Sequence, residues 1–169
     1  MSAKGLKQTS SLITISFEVN ESAANTFTQA IIDLQLNPLD NEVFVVQAID
    51  MDPSPPDEIV GLNTACDSSL STVARTTVGS LADTNVLAVG ERLIRSSGGA
   101  GVGFETISSS SPSTLLPYMG IIATNDFALQ VEGRNNTNPM TVKGKLYGYR
   151  ARADAAIYAA LVQSEVLSS

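Results

Sequence analysis

The chain has 169 residues, a formal net charge of -7 and a sequence pI of about 4.4. Only 16% of its residues are charged while 43% are hydrophobic, where an ordinary soluble domain carries about 25% charged residues. Such an acidic surface excludes nucleic acid as the main ligand, because that binding is driven by Lys and Arg displacing counterions from phosphates. The absence of Trp also leaves few platforms for stacking bases.

The length suits one domain, residues 1–169, able to bury roughly 70% of its unfolded surface. A single cysteine, Cys66, rules out a disulfide within the chain and reads as a buried thiol, since no histidine exists to activate it. The opening "MSAKGLKQTSS" holds Lys4 and Lys7 with no apolar run behind them, so residues 1–11 are expected to form a flexible arm and not a secretory signal. No apolar run approaches the ~20 residues of a membrane helix.

Strand signals begin at "LITISFEV", where Ile13, Ile15, Phe17 and Val19 alternate with Thr14, Ser16 and Glu18. "AIIDLQL" repeats the pattern, "NPLDN" (37–41) is a turn, and "EVFVVQAI" (42–49) is apolar on both faces, as a central strand is. The segments flanking that turn are expected to pair as a hairpin. "DMDPSPPDE" (50–58) contains three prolines and is expected to be an acidic loop. "SLSTVARTTV" (69–78) and "NVLAVGERLIR" (85–95) read as strands, "SSGGAGVG" (96–103) as a flexible turn, "GFETISS" as a short strand and "SSSSPS" (108–113) as a low-complexity loop. "MGIIATNDFALQVEG" (119–133) gives two strands about the Asn125-Asp126 turn, and "RNNTNP" (134–139) a further turn into "MTVKGKLYGYRAR". The period then changes: Asp154 suits an N-cap, and 155–167 reads as a helix within a 154–169 tail. The expected fold is mainly β, an antiparallel β-sandwich with a short C-terminal α-helix.

Zero histidines removes the commonest general base, the usual metal ligand and every Ser-His or Cys-His pair. One thiol cannot supply an ordinary zinc site. Carboxylate-only hydrolysis would need a sugar cleft lined by aromatics, which are scarce here, so no enzyme and no cofactor are expected. The glycines of "SSGGAGVGFE" fit neither a phosphate loop nor a dinucleotide fingerprint and serve a turn. Asp50, Asp52, Asp57 and Glu58 are the weak candidate for a calcium site, although their spacing is not that of an EF-hand. Asn20-Glu21-Ser22 and Asn135-Asn136-Thr137 match the N-glycosylation pattern by chance.

The charges are segregated along the chain. No Lys or Arg lies between Lys7 and Arg75, whereas Arg134, Lys143, Lys145, Arg150 and Arg152 occupy a stretch free of acids. The basic segment either pairs beside an acidic strand of the same chain or meets the acidic face of another copy. Strand parity places Lys143, Lys145, Tyr147 and Tyr149 on one face, with Val142, Leu146 and Arg150 on the other. Lys143, Lys145, Tyr147, Tyr149, Arg150 and Arg152 are therefore the expected assembly interface, tyrosines beside cations being a surface type enriched at interfaces.

A low-charge, histidine-free β-chain with loops such as "DMDPSPPDE" and "SSSSPS" resembles the single jelly-roll coat proteins of viruses, over Leu12 to Arg152. The resemblance implies a jelly roll of two packed antiparallel sheets that tile into a shell, partnering copies of the same chain or other virion proteins, made in the host cytoplasm and located in the virion. Coat proteins with a basic arm hold their genome; Lys4 and Lys7 alone make a poor one. A virion coat or decoration subunit, tiling through polar sheet edges and complementary charge, is the leading expectation. The alternative is a carbohydrate- or calcium-dependent binding module using the 50–58 and 96–103 loops, and the third is a carboxylate-dependent hydrolase.

Overall fold

The computed structural model describes residues 4–97, 99–107 and 116–168. Its strands are β1 (Leu6–Gln8), β2 (Ile13–Asn20), β3 (Thr28–Asp33), β4 (Glu42–Pro53), β5 (Thr64–Ser71), β6 (Val86–Ser97), β7 (Ala100–Ile107), β8 (Gly120–Ile122), β9 (Asp126–Arg134) and β10 (Thr141–Ala153), followed by helix α1 (Ala155–Ser168). One sheet runs β2-β10-β4-β8, with β1 extending the β2 side along the end of β10. The other runs β3-β9-β5-β6-β7. With β1 and β7 set aside, the first strand pairs with the last, the second with the seventh, the third with the sixth and the fourth with the fifth, all antiparallel. That is a long hairpin rolled into two sheets, the jelly-roll arrangement.

The two sheets enclose one core. Phe17 and Val19 of β2, Leu146 of β10 and Ile49 of β4 meet Phe127, Leu129 and Val131 of β9 and Leu70 of β5. The Phe17 and Phe127 rings make an edge contact across it, centroids 6.5 Å apart. In β4 the inward parity changes from Phe44 and Val46 to Ile49 and Met51. The register accommodates this by skipping Gln47 between the pairs Val46–Gly148 and Ala48–Tyr147, a β-bulge that keeps both halves of the strand facing the core.

The double-sided apolarity of β4 has a second cause. Val43 and Val45 point away from the main core and, with Leu6, Ala151 and Ala153, form a second cluster under Ile157, Tyr158, Leu161 and Val162 of α1. Asp154 caps this helix, its Oδ1 accepting from Ile157 N at 2.8 Å. Near the other end the buried Glu165 carboxylate accepts from Ala123 N at 3.0 Å and Thr124 N at 2.9 Å, tying α1 to the segment after β8.

Several local expectations change. β3 and β4 do not form a hairpin: they lie in opposite sheets, because the chain crosses the sandwich between them. Gln35 and Asn41 adopt left-handed backbone there (φ 53° and 51°), and Asn125 binds Leu34 N and Leu36 N to hold the crossing. β8 and β9 are likewise in different sheets. The acidic 50–58 stretch begins as strand, since β4 runs to Pro53. The strand expected over 69–78 ends at Ser71. Residues 72–85 instead cross the outer face of the β5–β9–β3 sheet, where Gln130, fully buried, bonds Ser69, Ser71 and Gln29. Backbone groups of the crossing segment complete that network through Gly79 N to Ser69 Oγ and Arg75 N to Gln29 Oε1. Polar groups covered in this way need partners, and the crossing segment supplies them. The 96–103 stretch belongs to the β6–β7 hairpin, and β7 starts at Ala100. The N-terminal arm is held as β1 against β10 from Leu6 to Gln8. The expected 108–113 loop lies outside the described residues.

Candidate functional site

From Val142 to Tyr147, β10 lies between β2 and β4, so each outward side chain there has a direct neighbour on both sides. Lys143 stands between Glu18 and Asp52, Lys145 between Ser16 and Asp50, and Tyr147 between Thr14 and Ala48. Tyr147 donates to Asp50 Oδ2 at 3.1 Å, and its phenol is raised above the ordinary tyrosine range by desolvation and by that bond. Lys143 and Lys145 are exposed and make no ion pair within 4.0 Å among the described residues. Tyr149 shares their face but is buried in the second cluster under α1, so its own chain covers it.

The arginines behave differently. Arg150 points to the end of the sandwich, where its Nη1 reaches Glu42 Oε1 and Gln35 O at 3.1 Å, and its Nη2 reaches Leu34 O at 2.6 Å. Arg152 pairs with Asp40 at 3.1 Å. Arg92 pairs with Asp52 at 3.2 Å and Glu105 at 3.3 Å, and Arg75 with Asp83 at 3.0 Å. The six residues expected at one interface are therefore not brought together: Lys143, Lys145 and Tyr147 share an open face, Tyr149 is covered, and Arg150 and Arg152 answer acids of their own chain. The segregation of charge along the sequence is largely cancelled by folding, because the basic β10 is laid between two acid-bearing strands.

The four loop carboxylates do not converge either. Asp50 and Asp52 project from β4 beside the lysines. Asp57 accepts from Thr137 N at 2.8 Å and Asn138 N at 2.9 Å, bonds that favour the ionised form and hold its carboxyl below the usual range. Glu58 is exposed. Among the described residues no group of three His, Cys, Asp or Glu side chains could hold a metal ion.

A second charged constellation lies on the outer face of the other sheet. Glu132, Asp67 and Glu91 are direct cross-strand neighbours on β9, β5 and β6. Arg134 spans two of them, reaching Asp67 at 2.8 Å and Glu91 at 3.4 Å. The Glu91 carboxyl is pushed up to about 7, chiefly by its hydrogen bond with Asp67, then by burial and the Asp67 charge, which together outweigh Arg134. An open cleft of about 430 Å³ adjoins the row, lined by Asp67, Ser68, Val78, Gly79, Leu81 and Glu91 among others. Sequence reasoning missed this row, because Asp67 and Arg134 are 67 positions apart and only strand order makes them neighbours. Cys66, beside it in sequence, points into the core, and burial pushes its thiol up to about 11. Such a thiol is a poor nucleophile.

No protein-family model matches the chain, and no curated protein is similar to it in sequence.

Proposed function

We propose that the chain is a self-assembling structural subunit, a virion coat or decoration protein that performs no chemistry. The observation that carries this reading is the jelly-roll strand order in a chain without histidine. The architecture recurs in capsids, lectins and cupins. Cupin-type metal chemistry is poorly served by a chain lacking the commonest metal ligand, and a lectin-type sugar platform by one lacking Trp. Tiling needs neither. Because fold alone does not fix function, surface character gives further support. Large apolar side chains are exposed at scattered positions, Leu39 at 93%, Val60 at 76% and Leu81 at 60% among them, as on a subunit whose loops meet neighbours. With Arg150 and Arg152 satisfied internally, the charge contribution to tiling falls to Lys143 and Lys145, and sheet edges carry the remainder. The natural partner is another copy, and the location is the virion.

Light scattering coupled to size exclusion, followed by negative-stain microscopy, tests the reading. Rings, tubes or shells are expected. A chain that stays monomeric at high concentration, or a thermal shift on millimolar calcium with no assembly, overturns it in favour of a binding module.

A further inference from the structure

Among the described residues β7 is the edge of its sheet and pairs with β6 alone. Residues 100 to 105 are all exposed. In an antiparallel pair every second residue turns its N–H and C=O away from the partner strand, so β7 offers a row of open backbone groups. Natural edges are usually blunted by Lys, Pro, a bulge or short length. β7 has none of these: it is 8 residues long, reads "AGVGFETI", and its register to β6 runs without a shift. The other described edges are better guarded, since β8 has 3 residues and β2 and β3 lie against each other at the far side of the sandwich.

We propose that β7 pairs antiparallel with β7 of a second copy, so that two sheets become one. This rests on the self-assembly reading and specifies one of its contacts. The strand is its own complement. Val102 and Phe104 share the outer face, 57% and 50% exposed. A twofold axis at Gly103 sets Val102 of each copy opposite Phe104 of the other, an isologous contact of the aromatic–β-branched kind that stabilises sheets. The same register sets Glu105 opposite Gly101. Glu105 is the only ionisable side chain on β7 and is already met by Arg92 Nε at 3.3 Å. Closure brings Glu105 of one copy near Glu58 of the other, whose Oε1 lies 3.4 Å from where a Gly101 side chain would begin, and Arg92 beside Glu105 is the cation that offsets the two carboxylates. Nothing lies within 4 Å of where a Gly103 side chain would begin, so no side chain of its own chain crowds the sheet face at the twofold position.

The test compares the wild-type chain with the double variant Val102→Lys/Phe104→Lys, whose two sites are exposed and whose melting temperature reports that it folds. Should that variant fail to fold, Phe104→Ser replaces it. The protein concentration at which oligomers form is expected to rise at least about tenfold, as for the loss of two central contacts. Hydrogen exchange provides the independent measurement: alternate β7 amides of the wild type should slow as concentration rises. An unchanged threshold in the variant, or β7 amides that exchange equally fast in monomer and oligomer, overturns the pairing while leaving self-assembly standing. Protection of β7 only on adding an unrelated extended peptide overturns the second copy as occupant. A wild type that never associates overturns both the pairing and the reading beneath it.

Discussion

Replacing Arg150 by glutamine is expected to weaken folding, whereas replacing Lys143 and Lys145 together is not, even though all three belong to one basic strand. The Arg150 guanidinium serves one carboxylate and two backbone carbonyls, on Glu42, Leu34 and Gln35, at the point where the chain leaves one sheet for the other. Hydrogen bonds to charged groups contribute about 1.5–3 kcal/mol each when buried. The side chains here retain 30% exposure at Arg150 and 20% at Glu42, so solvent screening reduces the total to about 2–4 kcal/mol. For a domain of this size that corresponds to a melting temperature lower by about 5–15 °C. Lys143→Gln/Lys145→Gln removes two exposed ammonium groups in no ion pair, a change within about 0.5 kcal/mol. The assay is thermal unfolding followed by circular dichroism, at a concentration where each variant is monomeric. Arg150→Gln melting within a degree of wild type, or the double lysine variant losing as much as Arg150→Gln, would refute the division of labour drawn from the geometry.

Three further outcomes follow from other parts of the fold. Gly144→Ala should destabilise severely, by about 3 kcal/mol or more, because its Cβ would stand 2.0 Å from Asp50 O and 2.6 Å from the Phe17 ring; Gly103→Ala, with open space, should melt near wild type, and denaturant titration of the two reads the contrast. Glu91 has a folded pKa of about 7 against an ordinary 4.5, so between those values the folded state holds more protons than the unfolded one. Its contribution to stability is present at low pH and is lost as pH rises toward and through 7; a melting-temperature profile for Glu91→Gln should be flatter than wild type from pH 5 to about 7.5, and parallel profiles would sink the assignment. Cys66, with its thiol near 11 and no exposed surface, should resist alkylation at pH 8 in the native protein and react on unfolding, as a mass-spectrometric time course would reveal.

Much of the candidate site was invisible to sequence reasoning for a definite reason. Strand parity correctly put Lys143, Lys145, Tyr147 and Tyr149 on one face, since side chains alternate along any strand. Parity says nothing about what lies over that face. That Tyr149 sits beneath α1 depends on where the helix docks. The Glu132–Asp67–Glu91 row carries no local signal at all, because its members come from three strands. The prolines of "DMDPSPPDE" argued for a loop, and the chain obeys them only after Pro53; the preceding Asp50 and Asp52 keep their ladder beside β10, in register with Lys145 and Lys143.

By itself the sequence determined a two-residue period over most of the chain, a capped helix at its end and a want of proton-transfer groups, because alternation, capping and composition are properties of neighbouring residues. Only the tertiary structure decided which sheet each strand enters and which acid each arginine meets. Arg150 and Glu42 are 108 positions apart, and a pairing over that distance is set by the summed burial of two sheets and a helix, to which no short stretch of chain holds the key.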